Sequence, residues 1–314
     1  LFIDGVERPT RNSNGAYIHS TEEGVRNFYA WFGASKVLDT QGRPLVVYHG
    51  TNNNFNTFRD DVGHANDRGF YRKGFYFTFN SDPSWAKLSR GEAGYYGRNI
   101  LDTYLKINNP FDFSSLSDYK GHKIGLLGTK TIVFLKNIAE KFPELADKIT
   151  ITKTTWNGDE GVTEQVPISV LPKLFDIYSK QLKTFTVVDD VYPQRSFASG
   201  YVKSEIVEYD YSEYGGQKGS YTSTEDLGRY QIETNKQELE AGLIADAIEK
   251  YDGISSDYHP EGYMTRFPEI TDAIKAKGYD GILQSEQGDE AVVFSPTQIK
   301  SATGNTGEFS PENS

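Results

Sequence analysis

The chain has 314 residues, of which 37% are hydrophobic and 14% aromatic, enough to bury the core of one large domain or two smaller ones. Its 33 Lys and Arg against 44 Asp and Glu give a net charge of −11, which argues against binding that depends mainly on neutralising phosphates. The absence of Cys excludes disulfides, thiolate zinc sites and Cys nucleophiles, the five His lack metal-ligand spacing, and no long apolar run is available to span a membrane.

An amphipathic helix is predicted after residues 1–20, a polar arm without periodicity. Thr21 is a suitable N-cap with Glu22 and Glu23 behind it, and Gly33 is typical of a helix end. Apolar side chains recur between them at helical spacing: Val25, Phe28, Tyr29 and Phe32. We expect this helix to pack on the core.

The first strong strand signal is the apolar run from Leu45 to Tyr48, which is followed by His49, Gly50 and Thr51. We predict that the strand stops at this triplet and that residues 52–54 begin a loop. A His at the open end of a core strand, beside a Gly whose backbone a flat ring can approach, suits a small polar ligand. The alternative is that His49 only bonds its neighbours.

Basic residues collect near the end of the predicted loop Asn52–Gly69, at Arg68, Arg72 and Lys73. Most such charges are solvated surface groups. Beside a ligand site, however, Arg72 would be placed to contact a pyrophosphate.

A second strand is predicted from Gly74 to Phe79. Period-two alternation separates a Phe face, expected in the core, from a face with two hydroxyls that could line a cleft. The Phe face consists of Phe75, Phe77 and Phe79, and the hydroxyl face of Tyr76 and Thr78. Asp82-Pro83 then predicts the start of a short helix that carries Trp85 and Leu88 on one side.

The middle of the chain differs in character from its two ends. After a predicted strand at Leu101–Asn109, residues 113–234 contain two helical patterns and two strand patterns. The helical patterns are Thr131–Lys148 and Ile168–Leu182, and the strand patterns are Thr184–Val188 and Tyr201–Tyr209.

The carboxyl-terminal part is predicted to alternate helices and strands, before a polar tail, Ser301–Ser314, that is expected to fray. The helices are Gln237–Tyr251 and Glu269–Lys277, and the strands Tyr279–Gln284 and Glu290–Phe294. A short echo links Tyr251-Asp-Gly-Ile254 with Tyr279-Asp-Gly-Ile282, each predicted where a helix runs into a strand.

Four segments in this order carry a family resemblance. They are Tyr48-His-Gly-Thr51, Gly74-Phe-Tyr-Phe-Thr78, Leu105-Lys-Ile-Asn-Asn-Pro110, and Tyr279-Asp-Gly-Ile282 together with the stretch from Glu290 to Gly304. The chain resembles the mono-ADP-ribosyltransferases of the diphtheria-toxin-like (His-Tyr-Glu) group, in the branch found in phage and mobile-element polyvalent proteins. The helix Asn27–Lys36 is similar to that branch too. The resemblance covers roughly residues 25–112 and 268–309.

The resemblance implies an α+β fold, an ADP-ribosyltransferase-like split β-sandwich with flanking helices and a large mixed α/β insertion. The catalytic domain would comprise residues 1–112 and 235–314, and residues 113–234 would form an inserted subdomain, expected to recognise the acceptor.

The resemblance also implies that NAD is the substrate and that no metal is required. His49 would bind the adenosine-side ribose, the Gly50 backbone the nicotinamide amide, and Tyr76 the nicotinamide ring. Thr51, Thr78, Trp85 and Arg72 complete the expected NAD contacts, and Glu290 would be the catalytic residue, bonding a hydroxyl of the nicotinamide ribose.

The residue types fit the chemistry. Cleavage of the nicotinamide–ribose bond develops an oxocarbenium-like cation, which a fixed carboxylate stabilises more than the ground state. Glu290 is selected over Glu286 and Asp289 by its place before Ala-Val-Val-Phe, although a solvated charge at a strand start is the alternative. The family usually has a second aromatic residue near the position of Lys87 or Leu88, for which Trp85, or Tyr95 and Tyr96, would have to substitute.

Three functions therefore stay open at the level of sequence: an ADP-ribosyltransferase, a non-catalytic NAD-binding or virion-associated module, and an NAD glycohydrolase. For the transferase we expect a macromolecular acceptor, protein rather than nucleic acid, and no membrane partner. The chain opens at Leu1, so we expect a fragment of a longer protein. No secretory signal is evident, so we expect it to act in the cytoplasm, where it is made or where a phage or secretion route delivers it.

Overall fold

The computed structural model describes residues 1–55, 57–59, 74–79, 99–125, 127–181, 187–189, 202–204, 207–210, 218–221, 236–256, 258–284 and 290–310. Arg72, Trp85 and the short helix predicted after Asp82-Pro83 lie outside these residues, as do Lys87, Leu88, Tyr95 and Tyr96.

The chain divides into two compact units. The first comprises Leu1–Ser114 and Pro268–Ser314, and the second comprises Ser115–Phe267. Residues 235–267, which the sequence-based division assigns to the catalytic domain, belong to the second unit because the helix at their start packs on two other helices of that unit. The roles assigned to the two domains stay predictions.

In the described part of the chain, the α-helices are α1 (Glu22–Phe32), α2 (Leu127–Lys141), α3 (Val170–Gln181), α4 (Lys236–Asp252), α5 (Pro260–Arg266) and α6 (Glu269–Ala276). The strands of the first unit are β1 (Phe2–Ile3), β2 (Val6–Glu7), β3 (Val47–Thr51), β4 (Phe75–Thr78), β5 (Asn99–Leu105), β6 (Pro110–Asp112), β16 (Gly281–Gln284), β17 (Glu290–Val293) and β18 (Ile299–Ser301). Those of the second unit are β7 (Asp118–Tyr119), β8 (His122–Lys123), β9 (Thr150–Asn157), β10 (Glu160–Pro167), β11 (Val187–Asp189), β12 (Val202–Ser204), β13 (Val207–Asp210), β14 (Lys218–Tyr221) and β15 (Ile254–Ser255).

The main sheet of the first unit has seven strands in the order β18-β5-β3-β4-β17-β16-β6. Neighbouring strands are antiparallel except β16 and β6, which are parallel. In the described residues, one register pair, Tyr48 with Thr78, joins β3 to β4, whereas β3 pairs with β5 over its whole length and β4 with β17 likewise. Within the described residues, the sheet therefore consists of two well-paired parts that one register pair joins.

Apolar side chains cover both faces of this sheet. On one face α1 packs against residues of β5 and the carboxyl-terminal segment, in a cluster that includes Phe28, Trp31, Tyr104 and Phe309. The opposite face carries Val47, Phe75, Phe77, Leu105, Ala291 and Val293. Successive residues of a strand point to opposite faces, so neighbouring residues of one strand, such as Tyr104 and Leu105 of β5, belong to different clusters.

The predicted start and end of helix α1 are both confirmed. The Thr21 hydroxyl accepts a hydrogen bond from the Gly24 backbone N–H at 3.1 Å, as an N-cap does. Gly33 follows the last helical residue with a φ of +61°, a conformation that glycine adopts without the steric cost of a Cβ.

Several predictions of local structure are wrong. The amino-terminal arm contains the hairpin of β1 and β2, and β3 begins at Val47 and includes His49, Gly50 and Thr51 rather than stopping before them. The tail does not fray as far as Phe309, which is 3% exposed and packs on Phe28. Short strands and a buried aromatic surrounded by polar residues have no periodicity from which they could be predicted.

The second unit has a helical core and a three-stranded sheet. Helices α2, α3 and α4 pack on one another, and the sheet has the order β10-β9-β15. The echoed Tyr-Asp-Gly-Ile segments are confirmed as helix-to-strand connections, from α4 to β15 in this unit and from α6 to β16 in the first.

Candidate active site

The candidate site is built on the central strands β3, β4 and β17 of the first unit. Tyr48 of β3 pairs with Thr78 of β4, and Thr78 pairs on its other side with Glu290 of β17. Residues that are directly opposite in antiparallel strands have Cα atoms roughly 4.5–5.5 Å apart and side chains on the same face. These three side chains therefore form one row across the sheet.

Tyr76 lies on the same face as this row, two residues before Thr78 on β4. Its own partner on β17 is Val292, so Glu290 is its diagonal neighbour, at a typical separation of about 7–8 Å. Tyr76, Thr78 and Glu290 are each half-buried. An aromatic ring and a carboxylate at this spacing can flank a sugar and the flat ring attached to it.

Core packing on the opposite face holds both strands in this register. Phe75 and Phe77 of β4 are 9% and 1% exposed, and Ala291 and Val293 of β17 are fully buried. A shift of one residue would turn these side chains to the other face and lose their burial. The predicted two-faced pattern of β4 is therefore confirmed for Phe75, Tyr76, Phe77 and Thr78.

Gly74 allows β4 to approach β17 closely. Its φ is +140°, and a Cβ at this position would lie 2.5 Å from Val292 Cγ1 and 2.9 Å from the Val293 carbonyl oxygen. No real Cβ tolerates such distances, so only glycine fits without displacing the strand that begins with Glu290.

His49 is on the other face of the sheet from Glu290. Its imidazole lies near the rings of Phe58 and Phe77, at centroid distances of 5.1 and 5.4 Å. The His49 Nδ1 is 2.8 Å from the Tyr76 carbonyl oxygen, which can only accept, so Nδ1 carries the hydrogen. In the neutral ring Nε2 is then the acceptor nitrogen, and the bond fixes the orientation of the ring against β4.

The structure thus brings Tyr76, Thr78 and Glu290 together on one face and attaches His49 to the backbone of Tyr76. It does not place the His49 imidazole in the row with Glu290. Thr78 is the last residue of β4 and Glu290 the first of β17. The expectation that His49 stands at the open end of its strand is wrong, because His49 lies inside β3.

Gly50 and Thr51 are the last two residues of β3, after Tyr48, which pairs with β4. They pair with Ile100 and Asn99 of β5 on the far side. The Thr51 side chain is buried, and its hydroxyl accepts a hydrogen bond from the Asn53 backbone N–H at 3.1 Å, which stabilises the turn after the strand. The described contact of Thr51 is therefore structural.

Two neighbours of the site were not selected from sequence. Phe58 packs edge-on against His49, and Gln284 of β16 pairs with Glu290 on the side away from Thr78. Phe58 lies in an irregular segment whose pattern gives no contact information. Gln284 ends a predicted strand, but only the register between β16 and β17 shows that it is opposite Glu290.

Two classes of feature are missing from the described residues. No group of three or more His, Asp or Glu side chains there has the arrangement of a metal site. No helix in the same part of the chain combines the length and the apolar character that crossing a bilayer requires.

The chain matches a known protein family. A family model described as ADP-ribosyltransferase in polyvalent proteins matches residues 39–309. The matched range includes β3, β4 and β17 and also runs through the second unit, beyond the two segments that carry the resemblance in the sequence. Neither the curated proteins nor the solved structures contain a match to the chain.

Proposed function

Since the chain belongs to the ADP-ribosyltransferases of polyvalent proteins, we propose that it cleaves NAD, releases nicotinamide and transfers the ADP-ribose to a protein. We assign it to the His-Tyr-Glu subgroup, with a split β-sandwich whose opening lies between the two parts of the sheet. The single described pair between Tyr48 and Thr78 supports this assignment, because β3 and β4 have no further register pair on the side of Gly50 and Tyr76.

One observation carries the proposal: Glu290 and Tyr76 share a face at diagonal positions of two paired strands. The nicotinamide ring of NAD is cationic, and stacking on Tyr76 would stabilise it by roughly 1–2 kcal/mol in a desolvated site. Glu290 would then lie beside the attached ribose and accept a hydrogen bond from one of its hydroxyls.

The reaction requires little more than this placement. As the bond between the ribose and nicotinamide breaks, positive charge develops on the ribose ring, and the Glu290 carboxylate stabilises that charge. The bonding electrons leave with nicotinamide, which departs as a neutral molecule, so no general acid is needed. The acceptor nucleophile then forms the new bond to the ribose and loses its proton.

The remaining contacts orient the dinucleotide. The His49 ring, fixed through its Nδ1, lies on the other face of the sheet from Glu290, so it would reach the adenosine-side ribose through the opening between the two parts of the sheet. The Gly50 backbone would bind the nicotinamide amide. Thr78 would line the cleft beside Glu290, and Thr51, whose side chain is buried, would hold the turn after β3 in place. Arg72 for the pyrophosphate and Trp85 for the second face of nicotinamide are proposed from the sequence alone. We place the activity in the cytoplasm, where the protein is either made or delivered.

The proposal is tested by incubating the chain with NAD labelled in the ADP-ribose part and a cell lysate. We expect a label on macromolecules that protease removes and nuclease does not, with an equal amount of free nicotinamide. Glu290→Gln should abolish the label, and Glu7→Gln, which changes an exposed strand glutamate of the same unit, should not. Nicotinamide release without labelled macromolecules would instead show an NAD glycohydrolase, and absence of NAD binding would show a module without chemistry.

A further inference from the structure

The hairpin of β9 and β10 projects from the second unit. Its two strands are joined by a two-residue turn, Gly158-Asp159, and every residue from Thr155 to Gln165 is exposed. We call these residues the β9–β10 arm. In a packed domain at least one face of a hairpin is normally covered, so an arm exposed on both faces is available for a partner.

The outer strand of the arm is a long sheet edge. In the described residues β10 pairs with β9 alone, over the full range Glu160–Pro167. Natural edges are often protected by charged side chains, above all Lys, by bulges or by internal Pro, and β10 has no Lys and has Pro only at its last position. Its charges are the carboxylates of Glu160 and Glu164, which oppose an acidic strand but not a basic one. About half of its residues direct their backbone N–H and C=O groups away from β9, because hydrogen-bonding direction alternates along an antiparallel strand.

The arm also carries exposed apolar side chains. Trp156 is 68% exposed and Val162 58%. The indole lies against Gly161, where a Cβ would be 3.2 Å from the Trp156 ring, so the glycine leaves the space that the ring covers. A rigid aromatic ring held in this way loses little conformational freedom on contact with a partner.

The charge of the arm defines the chemistry of that partner. Asp159, Glu160 and Glu164 are acidic, and in the described part of the chain Lys153 forms an ion pair with Glu164 at 3.5 Å. A segment that added to β10 would place its alternate side chains beside these carboxylates. Lys or Arg at those positions would be attracted, and Asp or Glu would be repelled.

We propose that β10 is a docking strand for an extended segment of the acceptor protein that carries Lys or Arg at alternate positions. The segment adds to the sheet by backbone hydrogen bonds, and Trp156 packs on its apolar side chains. The inference rests on the proposed function in that it identifies the bound protein as the acceptor. An edge of this length buries less area than a stable interface requires, so binding is weak and the modified product can leave.

The test uses the full chain and an octapeptide of alternating lysine and valine as the probe, with alternating glutamate and valine as the control. We expect the basic peptide to bind at least tenfold more tightly and to slow amide hydrogen exchange in residues 160–165. Trp156→Ala and Glu160→Lys should each weaken binding at least fivefold. The matched controls Tyr17→Ala, an exposed aromatic of the first unit, and Asp147→Lys, an exposed acid of the second, should not.

Equal binding of the two peptides, or protection that avoids residues 160–165, would overturn the proposal. A further contradicting result would be a chain that sediments as a dimer and shows slow amide hydrogen exchange in residues 160–165 without peptide. That result would show that a second copy of the chain covers the edge. None of these binding measurements uses NAD. A chain that binds the basic peptide on β10 but consumes no NAD would therefore contradict the proposed function and still support the docking role of β10. In an active chain, Trp156→Ala should lower transfer to protein acceptors without changing nicotinamide release to water.

Discussion

Replacement of Gly74 by Ala tests whether the close approach of β4 and β17 holds the site together. The new Cβ would lie 2.5 Å from Val292 Cγ1, and Val292 is completely buried and cannot move aside. The φ of +140° adds a backbone cost, since residues with a Cβ rarely adopt it.

The two costs can be estimated separately. Strained backbone of this kind costs roughly 1–3 kcal/mol, and overpacking of a buried site costs typically about 1–3 kcal/mol more. Gly74→Ala should therefore lower the free energy of unfolding by about 2–6 kcal/mol. Gly42→Ala is the matched control, because Gly42 has a φ of +74° and no atom within 4 Å of the new Cβ. It should lose only about 1–2 kcal/mol, the backbone cost alone.

Urea unfolding followed by circular dichroism measures both variants against the unsubstituted chain. Because both variants carry a backbone cost, the difference between them reports mainly the contacts of the new Cβ with Val292 and Val293. If Gly74→Ala were no less stable than Gly42→Ala, the approach of β4 to β17 would not be as close as described, and the register that places Thr78 beside Glu290 would lose its support.

Three further changes probe other parts of the first unit. Phe309→Ala should lower the free energy of unfolding by about 3–5 kcal/mol in the same urea assay, because it empties a buried position against Phe28; a loss below about 1 kcal/mol would mean that the tail is not packed. The Tyr29 phenol donates to the Pro9 carbonyl oxygen at 2.7 Å, and burial raises its pKa above the usual 10.0. Tyr29 therefore ionises at a lower pH in the unfolded chain than in the folded one, and the free energy of unfolding falls as pH rises above 10.0. Tyr29→Phe should reduce that alkaline loss between pH 9 and about 11, and an unchanged pH profile would contradict the burial. Asp280→Ala removes an acceptor that binds two backbone N–H groups at 2.8 Å each and should cost about 1–3 kcal/mol, whereas a neutral effect would show that water replaces it.

Local patterns were sufficient where neighbouring residues decide the structure. Helix α1 follows from a cap at Thr21, a terminal glycine and apolar residues at helical spacing. The two faces of β4 follow from strict alternation, because the phenylalanines must be buried and Tyr76 and Thr78 then face the other way.

The site itself depends on pairings between residues far apart in the chain. That Thr78 is opposite Glu290, and that His49 bonds the Tyr76 carbonyl from the other face, follows from strand order and register, which a linear sequence does not state. The exposed β9–β10 arm was not predicted for a similar reason. Its strands lack the alternation of a half-buried hairpin, since neither face of the arm packs on a core.

In the proposed reaction the charge of Glu290 stabilises the transition state and contributes little to NAD binding. The most direct measurement compares Glu290→Gln with the unsubstituted chain, using calorimetry for the Kd of NAD and nicotinamide release for kcat. We predict a Kd within about threefold, because glutamine can still accept a hydrogen bond from the ribose hydroxyl. We predict a kcat lower by roughly 10²–10³-fold, because glutamine lacks the charge that stabilises the forming cation. An unchanged kcat, or a fall in activity explained entirely by weaker NAD binding, would contradict it.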